Sequence, residues 1–228
     1  MRTLSLVVPV YNAPDLVARL VQRLPELADI AAANGFSLVE TLLVDDGSTP
    51  MLKLGDAPSN VAVLRNETNR GKGFSVKRGA LAAKGDYVLM SDVDLSAPFS
   101  EFAGLAKAAD AWLVCGSRYG RPGMPLVRRI LSRLCHFFVR LAGVSGIQDT
   151  QCGFKLFQMS KMRRILQDLR IDRFAFDVEL IRRVQCAGGR IFEVPVVWRG
   201  GERSSLCVVR DAPRMLLDIL RIRWFKGL

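Results

Sequence analysis

Leu4-Ser5-Leu6-Val7-Val8-Pro9-Val10, followed at once by Tyr11-Asn12-Ala13-Pro14-Asp15, opens the reading of the fold. A short apolar run rich in β-branched residues predicts a buried strand, and the Asn/Pro/Asp cluster closes it. Leu16, Leu20, Val21 and Leu24 then recur at helical spacing. The same unit returns along the chain. Residues 38–44 form a second apolar run ending in Asp45-Asp46-Gly47-Ser48-Thr49, and 61–65 a third, followed by a loop rich in Asn and Gly. Phe74, Val76, Ala80 and Leu81 predict a helix, and residues 87–91 a fourth strand with Asp92 and Asp94 at its end. Strands alternating with helices predict an α/β fold with a mainly parallel sheet. In such sheets ligands bind outside the carboxyl ends of the strands, which is where the polar residues of this chain collect.

The second half is less regular. It predicts a strand at 111–116, a Gly/Pro-punctuated loop at 119–125, an arginine-studded helix at 126–143 and a loop at 149–153. Helices near 161–168 and 177–187, a strand at 191–198 and a terminal amphipathic helix at 212–226 complete it. At 228 residues the chain is short enough for a single domain, read as a nucleotide-binding half (1–96) and an acceptor-binding half (97–228). Half the residues are apolar and 24% charged, which excludes wholesale disorder. The net charge of +11 points to an anionic partner, whether nucleic acid, a phosphorylated small molecule or a membrane surface. Nucleic acid is set aside because no helix-turn-helix, zinc-finger or RNP pattern accompanies the charge.

Five cysteines, widely spaced and without a C-x-x-C pair, with a single His136, argue against a zinc site or disulfide framework and fit a reducing compartment. The N-terminus meets Pro9 too early for a secretory apolar core. The longest apolar candidate, 126–144, is interrupted by Arg128, Arg129, Arg133 and Arg140, so a membrane can be touched but is not expected to be crossed. The helices at 126–143 and 212–226, the latter with Trp224, suit either a lipid surface or packing on the sheet. His136 has no partner at ligand spacing, and Cys152 reads as a small buried filler.

Asp92-Val93-Asp94 offers two hard oxygen ligands for Mg²⁺ or Mn²⁺ held with a diphosphate, although turn capping explains such a pair as well. Asp45-Asp46-Gly47-Ser48 can accept hydrogen bonds from a base or ribose, or simply close a turn. Asn69-Arg70-Gly71-Lys72-Gly73 can bring amides and a lysine to phosphate, yet it has neither P-loop nor G-x-G-x-x-G spacing.

Taken in order, Val8-Pro9-Val10-Tyr11-Asn12, Val44-Asp45-Asp46-Gly47-Ser48, Asn69-Arg70-Gly71-Lys72-Gly73, Asp92-Val93-Asp94-Leu95-Ser96 and Gly116-Ser117-Arg118-Tyr119 resemble the inverting family 2 glycosyltransferases of GT-A fold. Asp149-Thr150-Gln151-Cys152-Gly153-Phe154-Lys155-Leu156-Phe157, Phe176-Asp177-Val178-Glu179-Leu180 and Val194-Pro195-Val196-Val197-Trp198 look most like its dolichyl-phosphate β-glucosyltransferase branch. The dolichyl-phosphate mannose synthases share the first five motifs.

The resemblance implies that Pro9, Val10, Tyr11, Asn12, Asp45, Asp46, Gly71, Lys72, Asp92, Val93 and Asp94 bind the nucleotide sugar, with Mg²⁺ or Mn²⁺ on Asp92 and Asp94. Asp92, Asp94, Arg118 and Asp149 would carry catalysis. Ser96, Arg118, Gln151, Gly153, Phe154, Lys155, Trp198, Arg199, Arg203 and Ser204 would meet the acceptor. The implied donor is UDP-glucose, with GDP-mannose as alternative. The implied acceptor is a polyprenyl or dolichyl phosphate at the cytosolic membrane face, reached by a peripheral protein.

An acceptor phosphate is already anionic and needs no general base. A saccharide acceptor would need one, for which Asp149 is the candidate. A non-catalytic nucleotide or lipid-head-group sensor is the alternative from another class. Two positions depart from the family pattern. Ala13 stands where a Glu is usual, and Arg203-Ser204-Ser205 where Gly-Ser-Lys is usual, so that Arg203 or Arg199 would replace the lysine charge.

Overall fold

The computed structural model describes residues 1–55, 57–118, 138–199 and 208–225, the stretch 208–212 as backbone only. A seven-stranded sheet runs in the order β3-β2-β1-β4-β6-β5-β7. Its strands are β1 (Arg2–Val10), β2 (Phe36–Asp45), β3 (Val61–Arg65), β4 (Tyr87–Ser91), β5 (Leu113–Ser117), β6 (Phe154–Gln158) and β7 (Ile191–Pro195). All neighbours are parallel except β6, which runs antiparallel between β4 and β5. The mainly parallel α/β sheet expected from the sequence is therefore present. The chain walks outward from β1 to β3, then crosses to the other side of β1 to place β4. That reversal opens a crevice at the carboxyl ends of β1 and β4, where Tyr11, Asn12, Asp92 and Asp94 follow.

The period-2 alternation of β1 divides two cores. Leu4, Leu6, Val8 and Val10 pack on one face with α1 (Pro14–Gln22), α2 (Leu24–Ala33) and α4 (Phe102–Ala106). There Phe36 meets Tyr87 and Phe102 edge-to-face, ring centroids 5.2 and 5.3 Å apart. Val7 belongs to the other face, under α3 (Lys72–Ala82), α5 (Met159–Asp168) and α6 (Phe176–Cys186). The last helix, α7 (Val208–Ile222), seats Ile219 and Ile222 on the same core.

Several boundaries differ from expectation for identifiable reasons. The periodic stretch after Pro14 is broken at Arg23 into two helices, because Pro25 has no N–H to continue the first. Strand β7 stops at Pro195, short of Trp198, although the amide of Val196 still donates to Ser117 O at 2.9 Å. Strand β6 falls just after the loop expected at 149–153, in a stretch to which the sequence reading assigns no element, because Lys155 interrupts its apolar run. In the fold Lys155 is wholly buried and paired with Asp177, 2.7 Å away on α6. Of the expected helix 126–143, residues up to 137 lie outside the described residues, and 138–141 are helical. Arg203, Ser204, Ser205 and His136 also lie outside them.

Candidate active site

At the carboxyl ends of β1 and β2 the chain binds itself. The amide of Asn12 donates to Ser48 Oγ and that of Thr49 to Asn12 Oδ1, each at 2.9 Å. Asn12 adopts φ 50°, a left-handed conformation that asparagine tolerates better than most residues. Beside it Tyr11 is half exposed.

The two acidic residues at the end of β2 divide their work. Asp45 is fully buried, its oxygens accepting from the amides of Ser48 (2.9 Å) and Leu52 (3.3 Å) and from Arg65. Burial by itself raises its pKa, but Ser48, Leu52 and Arg65 outweigh that and hold the carboxyl below its usual range. Asp46 accepts from Asn66 Nδ2 (2.7 Å) and from the amides of Arg70 (2.9 Å) and Gly71 (2.8 Å). Both carboxylates thus organise loops, Asp46 fixing the start of α3 from which Lys72 projects.

Gly71 has φ 108°, and a side chain there would strike Asp172 O at 2.5 Å, so glycine is demanded twice over. The loop it touches is anchored from below by Glu179, which is buried on α6. Its carboxylate accepts from the amides of Arg170 (3.0 Å) and Ile171 (2.8 Å) and from Arg183 Nε (2.8 Å).

The centre of the crevice is the end of β4. Lys72 Nζ lies 2.6 Å from Asp92 Oδ1. Asp92 rests on Gly153 so closely that a Cβ there would stand 1.9 Å from Asp92 Oδ2. Asp94 is held by Ser96, whose amide and hydroxyl donate to its two oxygens at 3.0 and 2.8 Å. Among the described residues no group of three or more His, Cys, Asp or Glu side chains is arranged for a metal, so a cation here would draw its remaining ligands from a bound molecule.

On the far side Arg118 grips Asp149. Its amide and Nε donate to Asp149 Oδ2 at 2.8 and 2.6 Å, and Nη2 to Oδ1 at 2.8 Å. The guanidinium lies over the Trp198 ring, 5.0 Å from its centroid. Burial raises the Asp149 pKa, but the bonds and charge of Arg118 prevail and hold it below the usual range. The segment bearing Trp198 is tied in by the amide of Arg199, which donates to Ser96 O at 2.8 Å. Gln151 reaches Met215 Sδ on α7 through Nε2 at 3.2 Å.

Of the residues expected at an acceptor pocket, Ser96, Arg118, Gln151, Trp198 and Arg199 are thus linked around this crevice. Phe154 and Lys155 instead lie fully buried beneath it as its floor. Lys155 Nζ bonds Cys152 O (2.5 Å) and Asp177 (2.7 Å); burial lowers the pKa of the Lys155 ammonium, but the charge of Asp177 outweighs it and holds the lysine above its usual range. Burial pushes the Cys152 thiol up to about 11, consistent with an inert filler. Asp177, Glu179 and Glu193 stand out only in the folded chain. The first two fall in a quoted motif; Glu179 has one local partner, Arg183 at i+4, but Lys155 lies 22 positions from Asp177 and Asp149 lies 44 positions from Glu193, where no local spacing betrays the pairing.

The Glycosyl transferase family 2 model matches residues 5–166. A dolichyl-phosphate beta-glucosyltransferase of Dictyostelium discoideum is 36% identical over 244 residues, covering 97% of this chain and 74% of that protein. The protein of that name from Homo sapiens is 32% identical over 258 residues, covering 99% and 77%.

Among solved structures, glucosyl-3-phosphoglycerate synthase from Mycobacterium tuberculosis, in complex with Mn²⁺, UDP-glucose and phosphoglyceric acid, superposes with a TM-score of 0.70. It is 19% identical and covers 97% of this chain and 79% of its own. Mannosyl-3-phosphoglycerate synthase from Rubrobacter xylanophilus gives 0.65 at 19% identity, covering 97% and 72%. These likenesses bear out the GT-A architecture as a fold.

Proposed function

This chain belongs to glycosyl transferase family 2 and is a hexosyltransferase, and from that premise we propose that it moves glucose from UDP-glucose to dolichyl or another polyprenyl phosphate, leaving a β-linked lipid-phosphate sugar. The names of its relatives support the acceptor class. The observation that carries the reading is the triple hydrogen bond between Arg118 and Asp149. It engages the carboxylate that a saccharide acceptor would need as base, and it keeps that carboxyl ionised by lending it to a cation rather than to a substrate hydroxyl. An acceptor that arrives as a phosphate anion requires no such base.

In this reading the half at 1–96 holds the donor and the half at 97–228 the acceptor. Tyr11, Asn12 and the loop closed by Asp45 and Ser48 receive the nucleotide. Lys72 reaches the diphosphate from the start of α3, 2.6 Å from Asp92 at present. Arg118, with Arg199 and Arg203, which follow Trp198 in the chain, receives the acceptor phosphate.

The donor set at Asp92 and Asp94 fits a divalent cation such as Mg²⁺ or Mn²⁺. All of it is hard carboxylate oxygen, and each oxygen keeps lone pairs beyond those given to Lys72 and Ser96. What the bound ion supplies is charge, set against the diphosphate as it departs. The residues of the crevice orient two mutually repelling anions for in-line attack at the anomeric carbon, which inverts an α-linked donor to a β-linked product.

The test incubates purified protein and either metal with polyprenyl phosphate and, in parallel, labelled UDP-glucose and GDP-mannose. Label extracted into organic solvent from UDP-glucose is the expected result. Label from GDP-mannose alone replaces the donor, and none from either donor with folded protein sinks the lipid-phosphate reading.

A further inference from the structure

Arg118 is oriented by Asp149, which raises the question of what orients Asp149. The answer lies on β7. Glu193 Oε1 accepts the amide of Asp149 itself at 2.6 Å, and Oε2 accepts the preceding amide, that of Gln148, at 2.9 Å. Two successive amides bound to the two oxygens of one carboxylate fix the peptide plane between them, and with it the direction in which the Asp149 side chain leaves the backbone. Across the β5–β7 ladder Glu193 is the partner of Cys115, and Ser117 that of Pro195. One strand therefore delivers Arg118 and its neighbour delivers the acid that aims the partner of Arg118. Trp198, three residues beyond β7, places its ring under the same guanidinium.

We propose that Glu193 is a positioning residue for sugar transfer, holding Arg118 in its working geometry through Asp149; this rests on the acceptor-side role proposed for Arg118. The role is geometric. Glu193 adds negative charge near a place that is to receive an anion, so simple electrostatics would have its removal help acceptor binding. A loss on removal is then the signature of lost aim.

The experiment measures kcat and KM for polyprenyl phosphate with Glu193→Ala and Glu193→Gln, each in the wild-type and the Arg118→Lys background. UDP affinity is measured by calorimetry and folding by thermal melting. The expected result is a fall in kcat/KM for the acceptor on the order of 100-fold for Glu193→Ala. Glu193→Gln, which keeps one accepting oxygen, should fall less, and UDP affinity should stay within about twofold for both. In the Arg118→Lys background the further cost of Glu193→Ala should shrink to about threefold or less, because residues acting through one another are not additive.

A full additional loss in that background overturns the inference, as does a parallel fall in UDP affinity or unchanged transfer by Glu193→Ala. An Arg118→Lys enzyme that transfers at the wild-type rate overturns the acceptor-side role of Arg118, and the inference with it. The first three results leave that role standing.

Discussion

Single carboxylates in this crevice have duties that their motifs do not disclose. Asp45 and Asp46 are adjacent, yet Asp45 is spent on its own turn and on Arg65, while Asp46 carries the loop that launches Lys72. Asp149 is likewise committed to Arg118, and its pKa lies below the ordinary value of 3.8. A depressed folded pKa contributes stability that is complete above the unfolded value and is lost as pH falls through the folded one. The stability difference between wild type and Asp149→Asn is therefore expected to be constant from neutral pH down to about 5 and to shrink below 3.8. Urea unfolding midpoints across that range check it; a difference that instead grows on acidification contradicts the assignment. Among the residues quoted from the sequence, Asp46 holds the loop before Lys72, Lys72 reaches Asp92, and Arg118 binds Asp149. Their pairings, Lys72 with Asp92 and Arg118 with Asp149, were not legible, because neither pair is local.

Where elements meet, the inserted strand β6 governs the site. It enters through Gly153 directly beneath Asp92 and is pinned to α6 by the buried pair Lys155–Asp177. Gly153 read from sequence as an acceptor residue, but its contact in the fold is with the end of β4. Adding one methyl there forces Asp92 to shift by about 1 Å or more, and a misplacement of that size costs on the order of 100-fold in rate. Gly153→Ala is accordingly expected to lose metal-dependent turnover by about that factor while melting as a folded protein; turnover within a few-fold of wild type would show that Asp92 has freedom to give way. The helix α6 repeats the lesson. Its Asp177 and Glu179 are both buried and support, respectively, the floor of the crevice and the loop against Gly71. A periodicity argument sees only a helix with two acids in its first turn.

Over the whole molecule, the basic balance of +11 and the last helix bear on where the enzyme works. Among the described residues no helix is long and apolar enough to cross a membrane. On α7 Ile219 and Ile222 turn inward, whereas Leu217 and, just beyond the helix, Trp224 are 54% and 80% exposed among Arg214, Arg221 and Arg223. An apolar edge flanked by arginines suits the headgroup region of an anionic bilayer. The protein is expected to float with vesicles containing anionic lipid, to shift Trp emission to the blue as it does so, and to be released by raised salt. Retention in the soluble fraction at low salt would remove the membrane surface from the proposed function.

The sequence by itself determined the α/β class, the parallel strands, the crevice at their carboxyl ends and the family, because these follow from periodicity and from ordered local motifs. Only the tertiary structure decided that β6 is a strand, that Lys155 lies beneath the site and that Asp149 serves Arg118. Each of those depends on a charge neutralised by a residue distant in sequence, and the energy of such a pair exists only once folding has excluded water from between its members.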